Sequence, residues 1–254
     1  MSASWPETLY LVRHGESSGN VARDEAELTG LEIIDIDERD VDVPLSDLGR
    51  RQAQALGQWL ARQAEHERPT IILSSPYVRA QQTADEALAA AGFGGDGVER
   101  LLDERLRERE FGVLDRLTRP GLVAREPQQA ELRAFLGKFY HRPPGGESWA
   151  DVGLRVRTVL DTLCREFAGE RVLISTHQVV VLMFRYVLEA MTEADVLALS
   201  RAEPVAHCSV TTFVHDPSAR RRGGMALQAY NCVEPLDDED EPVTEEEDAP
   251  AAAS

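Results

Sequence analysis

Three short apolar runs, residues 8–13, 70–74 and 171–175, constrain the fold of this 254-residue chain more than any other feature. Each is too short for a buried helix, and each is apolar at nearly every position rather than at alternate ones. Strands of that kind are covered on both faces, the situation of a parallel sheet between two layers of helices. Helical periodicity fills the stretches between them. Leu48, Ala55, Leu56, Trp59 and Leu60 share a face behind a Ser46 cap, and Trp149, Val152, Val156, Val159, Leu160, Leu163 and Phe167 form a stripe behind Ser148. Strand and helix alternate, so the expected class is α/β: a three-layer αβα sandwich around a mostly parallel central sheet. Val179 to Leu188, apolar on nearly every side, reads as a buried helix. Cys208 to His215 and Met225 to Asn231 flank a turn-like Asp216-Pro217 and an Arg-rich stretch from Arg220 to Gly224, and they read as a hairpin giving the sheet antiparallel edge pairing.

Ligands of open α/β sheets bind beyond the carboxyl ends of the parallel strands, so the residues just after each run are the ones to read for chemistry. The first run leads into Arg13-His14-Gly15-Glu16-Ser17, with Asn20 close behind. The second leads into Ser74-Ser75-Pro76, read as an N-cap and first-turn proline of a helix that carries Arg79 in its opening turn. The third leads into Thr176-His177, and Glu108 comes shortly after the short segment Val98 to Leu102. Guanidinium forks match the oxygens of a phosphomonoester, and an imidazole beside them can attack phosphorus. Those arginines would push the ordinary histidine pKa of about 6.5 downward and keep the imidazole neutral. Gly15 would let a ligand approach the backbone.

Four further segments accompany Arg13-His14-Gly15-Glu16-Ser17 in order: Pro44-Leu45-Ser46-Asp47-Leu48-Gly49, Ser74 to Ala84, Leu106-Arg107-Glu108-Arg109-Glu110-Phe111-Gly112, and Ser175-Thr176-His177. On this set, spanning residues 9 to about 190, the chain resembles the histidine phosphatase superfamily, the phosphoglycerate mutase-like proteins. The resemblance implies a transient phosphate on His14, phosphate binding by Arg13, Asn20, Arg79 and His177, and proton transfer by Glu108, which stands four residues before Gly112 in the phosphatase-like Leu-Arg-Glu form of the motif. Glu104 and Glu110 are the neighbouring acids that compete for that role. The implied activity is metal-independent, cofactor-free hydrolysis of a small phosphorylated metabolite. The arginine pair and lysine-bearing segment of the mutases are not recognisable between Gly112 and Glu147, which favours phosphatase. The alternatives are a cofactor-dependent phosphoglycerate mutase and a catalytically weak member that binds phosphorylated ligands. Pro143-Pro144-Gly145-Gly146-Glu147-Ser148-Trp149 matches a Gly-Glu-Ser segment of both branches. Gln178 departs from the pattern, since many relatives have glycine there: glutamine takes unusual backbone angles only at a cost, yet its amide could reach the pocket mouth.

The net charge of −18 repels nucleic acid and anionic membrane surfaces, so a phosphate site must be a local cation cluster against the global sign. Ten of the acids lie in residues 234–254, which contain no Lys or Arg. That segment is expected to be a disordered acidic tail behind a single domain of residues 1–233. The acid-rich stretch Asp24 to Asp42 is expected to be a loop beside the pocket, and Gly92 to Gly97 a flexible connection. Cys164, Cys208 and Cys232 suggest neither a disulfide framework nor a zinc site, and no His-x-x-x-His spacing points to metal. His66, His141, His207 and His215 read as structural, with His207 of most interest because it opens a strand-like segment. Without a leader-like start or a long apolar run, the chain is expected in the cytoplasm.

Overall fold

The computed structural model describes residues 5–93, 98–218 and 224–245. Its first strand, β1 (Thr8–Arg13), is buried along its whole length. Leu9 and Leu11 enter one apolar cluster while Tyr10 and Val12 enter another, so a helical layer covers each face. The chain continues through α1 (Ser18–Thr29), α2 (Asp47–Arg62), β2 (Ile71–Ser74), α3 (Val78–Ala91), β3 (Glu99–Leu102), α4 (Arg119–Arg125), α5 (Pro127–Tyr140) and α6 (Trp149–Glu166). Then come β4 (Arg171–Thr176), α7 (Gln178–Leu188), α8 (Glu193–Ala202), β5 (Val210–His215), β6 (Met225–Cys232) and the short α9 (Glu234–Asp237).

The sheet order is β3-β2-β4-β1-β5-β6. The first four strands are parallel, and β5 and β6 add antiparallel pairing at one edge. The fold is thus the expected α/β sandwich. Leu56 and Leu60 of α2 and Ala84, Ala87 and Leu88 of α3 pack on one face; Trp149, Val156, Leu163, Val180, Phe184 and Val196, from α6, α7 and α8, pack on the other. Helix α2 begins where the sequence places it, with Ser46 Oγ accepting from the Gly49 N–H at 3.0 Å, and Ser148 opens α6 through a capping box with Asp151.

Several expectations need correction. Tyr77, not Ser75, is the N-cap of α3, and it makes no side-chain cap bond. Asp24 to Thr29 are the last turns of α1, so the cleft-side loop starts later than the acid-rich composition suggested. Gly15 serves close packing: a Cβ there would lie 2.5 Å from the Gly49 carbonyl oxygen, so backbone meets backbone where α2 begins. Of the expected tail, residues 234–245 are docked on the body. Pro235 and Leu236 are buried, Leu236 in a small cluster with Leu45, Ala53, Ala55 and Cys208. Arg51 and Arg62 of α2 pair with Glu241, Asp238 and Glu239. Such exposed pairs contribute little, whereas burying one leucine stabilises by about 2 kcal/mol. An average over the acidic stretch hides that one residue. The remainder of the tail, 246–254, lies outside the described residues, as do 94–97 of the glycine-rich connection and 219–223 of the hairpin turn.

Candidate active site

The carboxyl ends of β1, β2 and β4 lie side by side, and the residues after them converge. His14 prolongs the pairing of β1 with β4, its peptide N–H donating to the Thr176 carbonyl at 2.8 Å. The His14 ring is buried, with Nδ1 2.8 Å from the Gly15 carbonyl oxygen. A carbonyl can only accept, so Nδ1 carries the hydrogen and Nε2 of the neutral ring carries the lone pair. Arg79 addresses that atom, its Nε donating to His14 Nε2 at 3.3 Å. Burial first, then the Arg79 and Arg13 charges, hold the His14 pKa well below 6.5. The ring is neutral and of defined orientation near neutral pH, a state in which Nε2 can act as a nucleophile.

His177, the N-cap of α7, is fully buried with its ring 5.0 Å from that of His14. Its Nε2 lies 2.8 Å from Ser75 Oγ, which is the work Ser75 does instead of capping. Nδ1 of His177 has no hydrogen-bond partner and lies 3.9 Å from Glu108 Oε2. Arg13 is buried beside them, Nη1 donating to the Val205 carbonyl at 2.5 Å. Arg79 also reaches Asp40, donating from Nη1 to its carbonyl at 2.6 Å and pairing with its carboxylate at 3.0 Å.

Glu108 lines the same cleft, with Oε1 accepting from the Arg109 N–H at 2.8 Å. Glu104 and Glu110 are exposed and do not line it. The Gly-Glu-Ser segment explains how Glu108 is held. Glu147 pairs with Arg107 and Arg155 at 2.8 and 3.1 Å, and Arg155 donates to the carbonyls of Arg105 and Glu108 at 2.6 and 3.2 Å. Spacing alone does not reveal that clamp, because its members lie on three separate segments. Asn20 uses Oδ1 in the capping box of α1, accepting from Ser17, and still borders the cleft, so Nδ2 is the part able to meet a ligand.

Gln178 resolves the departure at the glycine position. It is the first residue of α7, so its backbone needs no left-handed angles, and its buried amide lines the cleft with neither Oε1 nor Nε2 hydrogen-bonded. A buried amide in that state calls for a ligand or water partner. The cleft holds about 90 Å³ of internal space and is covered by Ile34, Ile36, Val43, Phe111, Leu114 and Leu117, with Arg23, Asp40, Asp115 and Arg116 among them. All six residues singled out in the sequence, Arg13, His14, Asn20, Arg79, Glu108 and His177, come together. Among the described residues no three or more His, Cys, Asp or Glu side chains form a metal-binding group, and no helix is long and apolar enough to cross a membrane.

The sequence model of the histidine phosphatase superfamily (branch 1) matches residues 9–226. The chain belongs to this superfamily. It is 34% identical over 200 residues to a 2,3-bisphosphoglycerate-dependent phosphoglycerate mutase of Sinorhizobium fredii, covering 78% of this chain and 87% of that protein. Similar solved structures include a mycobacterial glucosyl-3-phosphoglycerate phosphatase, 26% identical with TM-score 0.66 over 89% of this chain and 99% of that one. Bacillus stearothermophilus YhfR is 27% identical with TM-score 0.68, covering 90% of this chain and 98% of its own. Histidine phosphatase superfamily members thus include both phosphatases and mutases, and this chain is similar to both.

Proposed function

We propose that this superfamily member is a metal-independent phosphatase of small phosphorylated metabolites, acting through a phosphohistidine at His14 Nε2. The observation that carries the reading is the hydrogen bond from His14 Nδ1 to the Gly15 carbonyl, which leaves the Nε2 lone pair toward Arg79. In the first step Nε2 attacks phosphorus and the ester P–O bond breaks, with the Glu108 carboxyl giving its proton to the departing oxygen. In the second, Glu108 takes a proton from the water that attacks the phosphohistidine, the N–P bond breaks and phosphate leaves. Arg13, Arg79, His177 and the Asn20 amide hold the phosphoryl oxygens, where developing charge is stabilised most by donors already in place.

The cleft beyond the phosphoryl position supports hydrolysis over mutase chemistry. A mutase must grip the carboxylate of phosphoglycerate while the phosphoenzyme waits, which needs further cations. Here the cover is mainly apolar, and its two arginines, Arg23 and Arg116, are offset by two carboxylates, Asp40 and Asp115. Arg116 is engaged with the carbonyls of Ile36, Asp37 and Glu38. Phosphoglycerate mutase is the second reading, favoured by the names of relatives such as the Sinorhizobium fredii protein.

Brief incubation with labelled substrate should leave acid-labile, base-stable phosphate on the protein, and His14→Ala should abolish both the label and turnover, a loss of about 10⁴-fold or more. Label on serine, or turnover surviving His14→Ala, contradicts the reading. Interconversion of 2- and 3-phosphoglycerate faster than phosphate release would transfer the assignment to mutase.

A further inference from the structure

His207 takes no part in the reaction as derived above, yet it stands beside the nucleophile. It is fully buried, with its ring 5.6 Å from the His14 ring. The chain is pinned there: the Cys208 N–H donates to the Arg13 carbonyl at 3.0 Å, and Cys208 takes φ of 54°, a left-handed conformation costly for a residue with a side chain. In the order β4-β1-β5, His177 flanks His14 from the β4 side and His207 from the β5 side.

Thr244, in the docked C-terminal segment, is the hydrogen-bond partner of His207. Thr244 Oγ1 lies 2.8 Å from His207 Nδ1, and the His207 N–H donates to the Thr244 carbonyl at 2.9 Å. Gln52 is the second partner of the Thr244 hydroxyl. Its Oε1 accepts from the Glu16 N–H at 2.9 Å, which orients the amide, and its Nε2 donates to the Pro242 carbonyl at 2.9 Å and to Thr244 Oγ1 at 3.0 Å. The threonine oxygen receives a hydrogen from Gln52 and keeps its own, which His207 Nδ1 is placed to accept. With Nδ1 accepting, the hydrogen of the neutral ring is on Nε2. Burial, with Arg13 and His14 nearby, keeps the ring neutral. That Nε2 is buried and has no hydrogen-bond partner. In that tautomer a buried donor beside His14 lacks the acceptor that a phosphoryl oxygen would supply.

We propose that the C-terminal segment is part of the catalytic centre, Thr244 being a positioning residue that holds His207 as an Nε2–H donor to an oxygen of the phosphoryl group at His14. The inference rests on the phosphohistidine reading for its kinetic consequence, but the tautomer can be tested without it.

The experiment uses the full chain labelled with ¹⁵N at histidine. Long-range proton–nitrogen spectra should show His207, assigned by its loss in His207→Gln, as the Nε2–H tautomer, and orthovanadate should shift its Nε2 resonance. Thr244→Val keeps the shape and removes the hydroxyl, and should disturb the tautomer; Thr244→Ser should restore it. With p-nitrophenyl phosphate, Thr244→Val should lower kcat about tenfold with KM within about twofold, Thr244→Ser should recover most of the rate, and Thr244→Val should add nothing in the His207→Gln background. A wild-type His207 in the Nδ1–H form, an Nε2 resonance unmoved by vanadate, or a Thr244→Val loss undiminished in the His207→Gln background overturns the proposal. Failure of the phosphohistidine reading shows separately, as turnover that survives His14→Ala.

Discussion

On the strand-end side of the cleft, His14, His177 and Glu108 are held by the sheet, by backbone carbonyls and by the Arg155–Glu147 clamp; on the covering side, residues 33–43 and 111–117 hold mainly one another. Arg116 organises that cover. It takes φ of 60°, accepts the Ile34 N–H on its carbonyl at 2.8 Å, and donates to the Ile36 and Glu38 carbonyls at 2.7 Å each, while Ile33 bridges Leu117. In the proposed reaction the phosphoryl group common to every phosphomonoester would meet the first side, and the organic part of a substrate the second. A sheet-anchored reaction centre under a loop cover lets the ester group vary while the chemistry stays fixed.

If that division is right, Glu108→Gln should lower kcat about 10²-fold for every ester alike, with affinity kept, because the amide preserves shape and removes proton transfer. A near-wild-type rate moves the proton transfer to another acid and removes Glu108 from the strand-end side. A smaller effect of different kind is expected across the cleft: Arg116→Ala should raise KM about tenfold for esters that fill the cover, while kcat for p-nitrophenyl phosphate falls less than about threefold. Equal losses of kcat on all substrates would show that the cover also positions the phosphoryl group, and the contrast would collapse.

A test of another kind concerns stability and the strand-end side alone. His14, His177 and His207 are buried, and desolvation, with Arg79 or Arg13 next, holds all three pKa values well below 6.5. The unfolded chain accepts these protons near 6.5 and the folded one does not, so their stabilisation is complete above that pH and is lost as pH falls below it. Each contributes a loss of up to about 1.4 kcal/mol per pH unit. Tm should therefore drop between pH 6.5 and about 5, and less steeply in His207→Gln. A Tm constant over that window would mean the imidazoles are charged or hydrated in the folded protein.

The strand-end side was legible in the sequence because its residues sit at fixed offsets from apolar runs: Arg13 ends β1, His14 follows it, and His177 follows β4. Chemistry placed by a strand terminus shows up as local pattern. The positions that escaped notice depend on distant partners. Ser75 was read as a cap because Pro76 follows it, but its hydroxyl bonds a histidine from β4's end. Glu147 acts on Glu108 through Arg155 of α6 and through Arg107 beside it. The acidic C-terminal stretch read as disorder because composition averages over residues, whereas docking turns on Leu236, Gln52 and Thr244 individually.

The place of β1 in the sheet also bears on how this protein reaches its native state. The strand that ends at His14 leaves the ribosome well before its partners, since Thr8 pairs with Arg171 and Val214, which emerge much later. Until they arrive, an apolar strand waits without partners, exposed to wrong pairing. Contacts of such sequence separation slow folding, because loop closure must precede their reward. A nascent or truncated chain ending before β4 carries Arg13, His14 and Arg79 but lacks both strands that flank β1, so the arrangement of these side chains is completed only after synthesis has passed β5.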